Sequence, residues 1–371
     1  MLKSIYPYGQ GVSDMPENFG ASSLSSGSFI SSLKDDVWHG RADRHSFERW
    51  HFDALSDDGR EAIVVSFYDN YPFSPRYFSR RSEVSSNVNA GQFPAVTFLY
   101  SVDGHPAMQA VNEWTFDGFS ARMDNITCSI GDSHFRVEKA EYGFGYLVHV
   151  DVMTARRRRI EADLEWVSIE SDLMADRAGA ESPSMIWNLV APRSDVSGRI
   201  VRTGIRGKTK KVVHFRGTGY HDHFQSRTSL QQAIASRSWG RAHFSDMTAV
   251  FQHVSFEGDR GDTARIALIE DGRIMAKDAV YSLAGNRFDG KNSFAEFVAD
   301  GRRIGVTSIE PIQRGFFEQR MLCEVTLEID GEKPRRTKGI VELCNPKGMY
   351  NPLYRWMSDL KIGKNGGSPY F

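Results

Sequence analysis

The sequence predicts an all-β protein built as two β domains, each a barrel or a sandwich, with few short helices. Three observations carry this. Apolar and polar residues alternate with period two along most of the chain, as in strands with one buried face. The alternating segments are short and are cut at near-regular spacing by turn clusters such as SDDGR, SVDGH, EDGR and IDGEK, the pattern of a barrel or sandwich. Aromatic residues make up 12% of the chain, with 24 Phe, 13 Tyr and 7 Trp, which suits strands or a ring-walled pocket.

The elements follow in order. Residues 1–35, rich in Ser, Gly and Pro, predict a draped arm. FERWHFDAL, EAIVVSFYDN, FPAVTFLYSVDG and HPAMQAVNEW then read as strands. The stretch from Phe119 to Met153 continues as short strands broken by Gly, Asp and Asn, and RRRRIEADLEWVSIES alternates likewise. The run Arg156–Arg159, followed by Glu161, Asp163 and Glu165, reads as a solvated, charged strand edge. APRSDVSG, Ala191 to Gly198, divides the chain into an N-terminal domain, 36–198, and a C-terminal domain, 199–371. SLQQAIASR is the best helix candidate, with Leu230, Ala233 and Ile234 at helical spacing. VVHF, MTAVFQHVSFE, ARIALIEDGRIMAKDAVYSL, EFVADGRRIGVTSIEPI, MLCEVTLEIDGEK and RTKGIVELCN are strand-like, and the tail GKNGGSPYF predicts a flexible end.

The 371 residues are enough to bury a core and enclose a pocket. Lys and Arg number 46 against 47 Asp and Glu, so there is no basic excess for nucleic acid or a membrane surface. No apolar run reaches the roughly 18–20 residues of a membrane-spanning helix, and the N-terminus shows no signal-like apolar stretch. Cys128, Cys323 and Cys344 are widely spaced and include no CxxC, which fits buried free thiols and a cytoplasmic protein. No Walker A loop, dinucleotide fingerprint or GxSxG elbow occurs.

Chemistry-bearing residues gather in three places. The densest is GTGYHDHF, Gly217 to Phe224. On a strand His221 and His223 share one face, a spacing that binds metal if a third ligand such as His243 or His253 joins them. Tyr220, Asp222 and Phe224 share the opposite face. In an apolar cavity, desolvation would turn Asp222 into a neutral acid able to protonate an alkene, a carbonyl or a leaving oxygen. A satisfied polar cluster at a strand entry is the plain alternative. The second place is SWGRAHF, with Trp239, Arg241 and His243 on one face; Arg241 is placed to pair with Asp222 or Glu48, or to bind a substrate oxygen. The third is FERWHFDAL, with Glu48, Trp50 and Phe52 on one face as a pocket wall, or with Glu48 tied to Arg76 or Arg80.

FERWHFDAL with VVSFYDN, MIWNLVAPRSDVSG leading into FRGTGYHDHF, then SWGRAHF and GIVELCN together resemble the hydroxyneurosporene synthase (carotenoid 1,2-hydratase)/AttH-like family, from Phe47 to Asn345. The resemblance implies two lipocalin-like β domains with a pocket near their junction. It implies chemistry on apolar intermediates: hydration of carotenoid double bonds, terpenoid cyclisation by alkene protonation, or pericyclic cyclisation of polyketides. It implies no metal and no organic cofactor. Tyr220 and Asp222 are the acid candidates it carries over, and Trp239 a pocket wall.

The expectation is thus an intramolecular cyclase or isomerase acting on a small apolar isoprenoid or polyketide intermediate. Asp222 would be acid or hydrogen-bond donor, tuned by Tyr220 and by His221 or His223. Trp50 and Trp239 would wall the pocket, with Glu48, Asn188, Arg241 and His243 holding polar groups. A hydratase or dehydratase on the same pocket, a lipocalin-like carrier, and a hydrolase using Glu48 and Asp222 as a carboxylate pair are the alternatives. A monomer and a homodimer are equally compatible with the residues.

Overall fold

The computed structural model describes residues 28–40, 45–80, 92–140, 143–168, 172–175, 185–204, 210–256, 258, 261–284 and 292–365. Two antiparallel sheets dominate it. The first, in hydrogen-bonding order, runs from His105–Glu113 through Ala95–Val102, Glu61–Tyr68, Phe47–Ser56, Lys210–Ser226, Met185–Thr203, Arg159–Ser168, Gly143–Met153, Ser133–Ala140 and Thr127–Ile130 to Phe119–Ala121. It curls into a half-barrel around a core that includes Trp50, Phe52, Phe135, Tyr146 and Trp166. The second sheet orders Arg273–Asp278, Asp262–Glu270, Thr248–Phe256, Ile234–His243, Arg335–Cys344, Glu318–Ile329, Arg302–Arg314, Phe294–Ala299 and Val280–Ala284. It is a nearly closed barrel filled by Phe251, Ile266, Phe297, Ile304 and Met321. A third apolar cluster, including Tyr68, Tyr71, Phe73, Trp187, Tyr220, Trp239 and Phe317, lies between the two sheets.

The all-β reading holds, and so does the lipocalin-like pairing of two curved sheets. The division at Gly198 does not fall on a sheet boundary. Gly198 lies inside the strand Met185–Thr203, and the following strand Lys210–Ser226 pairs with Phe47–Ser56, so the first sheet takes in the chain as far as Ser226. Gly, Ser and Pro mark turns on average, but here Gly198 sits in extended backbone close against Leu164 of the neighbouring strand, where a Cβ would clash.

Three smaller expectations also shift. The end of the arm is built in: Ser28–Ile30 pairs in parallel with Ile186–Asn188. Asn188 clips it there, accepting from Ser32 N at 2.9 Å and donating to Ser32 O at 2.8 Å. The helix at SLQQAIASR stops at Ala233, because Ile234 begins the strand that carries Trp239 and Arg241. Arg156–Arg158 form the turn before Arg159–Ser168 and not a strand edge; Arg159 alone enters the strand and pairs with Asp151. Residues 1–27 of the arm and 366–371 of the tail lie outside the described residues, while Gly363–Lys364 adds a short parallel strand beside Asn112–Glu113. All three cysteines are buried free thiols. Among the described residues no helix is long and apolar enough to cross a membrane.

Candidate active site

The strand Lys210–Ser226 positions the dense stretch. Tyr220 stands opposite Asp53, His221 opposite Phe52, Asp222 opposite His51, and His223 opposite Trp50. Residues directly opposite share a face, so the strand sorts its side chains into two environments. Gly219 permits the close approach this requires: a Cβ there would lie 2.5 Å from Trp166 Nε1 and 2.7 Å from Asp53 O.

The first face looks into the hollow of the first sheet. His221 stacks on Phe52, with ring centroids 4.0 Å apart, and His223 on Trp50 at 4.5 Å. His221 Nε2 is 3.0 Å from Asp36 Oδ2, and the Tyr146 hydroxyl donates to the same oxygen. His223 lies between two carboxylates, 3.3 Å from Asp36 Oδ1 and 3.0 Å from Glu48 Oε2. His39 Nδ1 is 3.0 Å from Glu48 Oε2. Burial opposes a charge on His223, but the two carboxylates outweigh it and raise its pKa to about 9. Burial likewise works against Asp36, and the two imidazoles outweigh it, holding the acid down at about 2. Asp69, pushed up by burial and by the Glu48 charge, reaches about 7.

His39, Glu48 and His223 each offer a ligand atom within 4.8 Å of the others. A histidine protonated on both nitrogens has no lone pair for a metal, so in its ion-paired state His223 completes a chain of alternating charges. The third ligands expected from the sequence are elsewhere. His243 bonds Thr248 at 2.9 Å on the second sheet, and His253 is 3.1 Å from Asp262.

The second face meets the second sheet in a buried seam of acids, arginines and indoles. Asp222 Oδ2 accepts from Trp187 Nε1 at 2.8 Å, and Oδ1 lies 3.6 Å from Arg49 Nη2. Arg49 donates to Glu342 at 2.8 Å, Trp239 donates to the same oxygen at 3.0 Å, and Arg320 donates to the other at 2.6 Å. Burial works against Glu342, but Arg320 and Arg49 outweigh it and hold its pKa far below the usual range. Arg237 lies over Trp187 and Phe224, 4.6 Å from each ring; burial lowers its pKa to about 10. Further along, Arg241 donates to Asp53 at 2.7 Å, and His51 bridges Asp53 and Ser66. The Tyr220 hydroxyl and Asp222 Oδ1 are buried without a hydrogen bond of ordinary geometry.

Clefts open at the two ends of the seam. One of about 470 Å³ is lined by Tyr71, Phe73, Phe316, Phe317, Gln313 and Glu318, among others from both sheets. The Glu318 carboxyl, nearly buried, is raised to about 7 by burial and by Glu342, against the pull of Arg320. The other, of about 290 Å³, is lined by Leu55, Thr218, Arg241, His243 and Lys338.

The predicted residues are therefore split. Tyr220, Asp222, Trp239 and Arg241 meet in the seam; His221, His223, Glu48 and Trp50 meet inside the first sheet; Asn188 holds the arm. Three expected pairings are corrected. Arg241 joins Asp53 and neither Asp222 nor Glu48, because Asp53 is the acid that faces it across the junction. Glu48 joins the histidines, while Arg76 takes Glu113. His221 and His223 do not tune Asp222, since alternation points them to the opposite face. The sequence reading missed Asp36, Arg49, Asp53, Trp187, Glu318, Arg320 and Glu342. A signal existed: Glu342 interrupts GIVELC and Glu318 and Arg320 open EQRMLC, charges at alternate positions of otherwise apolar strands.

Two curved sheets packed face to face, with charged groups sealed between them, define a lipocalin-like β protein with its polar chemistry at the junction. No family model matches the chain. It is 23% identical over 353 residues to a hydroxyneurosporene dehydrogenase of Chlorobaculum tepidum, across 89% of this chain and 90% of that protein. Its fold matches CghA in a crystal structure with Sch210972, at TM-score 0.58 and 13% identity over 88% of this chain and 97% of that one. It also matches a protein described as AttH (NE1406) from Nitrosomonas europaea, at TM-score 0.58 and 16% identity over 87% and 99%. The chain is therefore similar in sequence to that hydroxyneurosporene dehydrogenase along most of its length, and it shares the fold of CghA and of the protein described as AttH.

Proposed function

We propose that the protein is an enzyme that cyclises or isomerises an apolar isoprenoid or polyketide intermediate held in the 470 Å³ cleft between the sheets. The observation that carries this is the contact of an aromatic-walled cleft with a buried charged seam. Tyr71, Phe73, Phe316 and Phe317 give a long apolar chain a surface to fold against and give a cation a ring face. The seam supplies a proton, or a hydrogen-bond donor to a carbonyl, from groups already shielded from water. Asp222 and Tyr220, with Arg49 and Trp187, form its inner end. That the relative named above carries an enzyme's name on an isoprenoid supports the same class of substrate.

A hydratase or dehydratase is the second reading. The cleft rim carries Gln109, Arg156, Gln313 and Arg314, polar groups that bring water to the same site. Incubating an organic extract of the producing organism with wild type and with Asp222→Asn, followed by mass spectrometry, separates the readings. An isomer of equal mass made by wild type is the expected result. A gain or loss of one water makes the protein a hydratase or dehydratase. A compound that co-purifies with both proteins and is not consumed makes it a carrier, and the proposal fails.

A further inference from the structure

Resting on that reading, we infer that Glu318 is the group that gives a proton to, and takes it back from, a substrate in the larger cleft. The motif-bearing acid, Asp222, lines neither cleft; its contacts are Trp187 and Arg49 inside the seam. Glu318 lines the larger cleft beside Tyr71, Phe73 and Phe317, and it feels the charge of Arg320, from which contacts run through Glu342 and Arg49 to Asp222. Its strand fixes its direction. Glu318 stands opposite Cys344 and Arg320 opposite Glu342, so both face the first sheet, while Met321 and Cys323 point into the second barrel.

The electrostatics agree with the geometry. Burial and the neighbouring Glu342 charge hold the Glu318 carboxyl at about 7, so a large part of it is protonated in neutral solution. Glu342, held ionised between Arg320 and Arg49, cannot serve as a donor.

The step balances without a co-reactant. The Glu318 O–H bond breaks as a C–H bond forms on a terminal alkene carbon. The cation produced beside the rings is captured by a second alkene of the same molecule, forming a C–C bond. A neighbouring C–H bond then returns its proton to the Glu318 carboxylate. The product is an isomer of the substrate, and the acid is restored.

The experiment is a titration of protein labelled with ¹³C at the glutamate side-chain carboxyls, with and without geranylgeraniol as an apolar isoprenoid probe. One signal, absent in Glu318→Gln (or in Glu318→Asp if that variant folds better), is expected to titrate near pH 7 and to move when the probe binds. Glu318→Gln should still bind geranylgeraniol, yet slow conversion of the extract compound roughly 100-fold or more. Wild type run in D₂O should place one deuterium in the product. A Glu318 signal that titrates as an ordinary glutamate or ignores the bound probe, or wild-type conversion by Glu318→Gln, overturns the inference and leaves the proposed function standing. If wild type neither binds geranylgeraniol nor converts any compound, the proposed function itself fails.

Discussion

The two faces of the strand Lys210–Ser226 solve one problem in different ways. Both bury acids beyond the reach of water: Asp36 and Glu48 on one side, Asp222 and Glu342 on the other. Inside the first sheet the counter-charges are histidines; in the seam they are arginines. The difference decides what happens when a partner is lost. A histidine left without its acid can shed a proton and become neutral, whereas an arginine cannot. The histidine face is thus forgiving and pH-sensitive. The arginine face is rigid in charge, and it is the face that borders the larger cleft.

The largest expected effect follows directly. Glu342→Gln leaves Arg49 and Arg320 buried with their shared carboxylate gone, and should cost roughly 3–5 kcal/mol of stability. Glu48→Gln removes the corresponding acid of the first face, and at pH 8 should cost about 1–3 kcal/mol, since His223 can lose its charge. Urea unfolding of both variants at pH 8 measures the gap. Equal losses would mean that the kind of cation does not matter here.

The second effect is in pH. His223 is raised from 6.5 to about 9, so its contribution is complete below pH 6.5 and is lost as pH rises through 9, a span of roughly 3 kcal/mol. Glu318 and Asp69 are raised to about 7 and work in the same direction at lower pH, their stability falling away as pH climbs from the ordinary carboxyl range through 7. Asp36 has the opposite sign: its contribution is present above 3.8 and is lost as pH falls through about 2. Stability should therefore peak in mild acid and decline toward pH 9. His223→Gln should flatten the upper part of that decline and Glu318→Gln the part below 7. Unfolding curves at five or six pH values test this, and a stability still rising between pH 7 and 9 would count against it.

A smaller loss is expected for Asp222→Asn, about 1–2 kcal/mol. The amide oxygen can still accept from Trp187 Nε1, and Arg49 keeps Glu342, so only the 3.6 Å ion pair disappears. A loss near that of Glu342→Gln would move the centre of the seam from Glu342 to Asp222.

What the sequence made legible follows from range. Alternation is local, so the strands, the sorting of Tyr220 and Asp222 from His221 and His223, and the facing set of Glu48, Trp50 and Phe52 could all be read from residues a few positions apart. Partners are not local. Asp36 meets His221 across 185 positions, Arg49 meets Glu342 across 293, and Arg241 meets Asp53 across 188. No spacing rule reaches that far, so the partners of Arg241 and Glu48 and the place of Glu318 are not legible in the sequence. Its neighbours Phe316 and Phe317 make it look like a strand entry until the first sheet closes over it. Gly198 falls inside a strand for a related reason: a glycine needed for close strand contact is indistinguishable, in one dimension, from a glycine that turns the chain.

The smallest expected effect is the sharpest on the seam. The Tyr220 hydroxyl is fully buried and finds no hydrogen bond of ordinary geometry, although the Asp222 charge is close enough, after burial, to help push its pKa well above 10. In that geometry the hydroxyl makes no bond whose loss would cost stability, and the desolvation penalty that its deletion relieves is set against the packing contacts its oxygen gives up. Tyr220→Phe should then change stability by no more than about 0.5 kcal/mol in either direction. A loss of about 1.5 kcal/mol or more would show that the hydroxyl donates to Asp222 in the resting protein. The two readings differ in function as well as energy. A hydroxyl with no hydrogen bond, beside a carboxylate oxygen that has only Arg49 at 3.6 Å, is a group left for a ligand, and Tyr220→Phe would then weaken ligand binding while leaving the fold unchanged. A hydroxyl already bound to Asp222 is part of the same sealed lattice as Arg49 and Glu342, and its loss would appear in unfolding first.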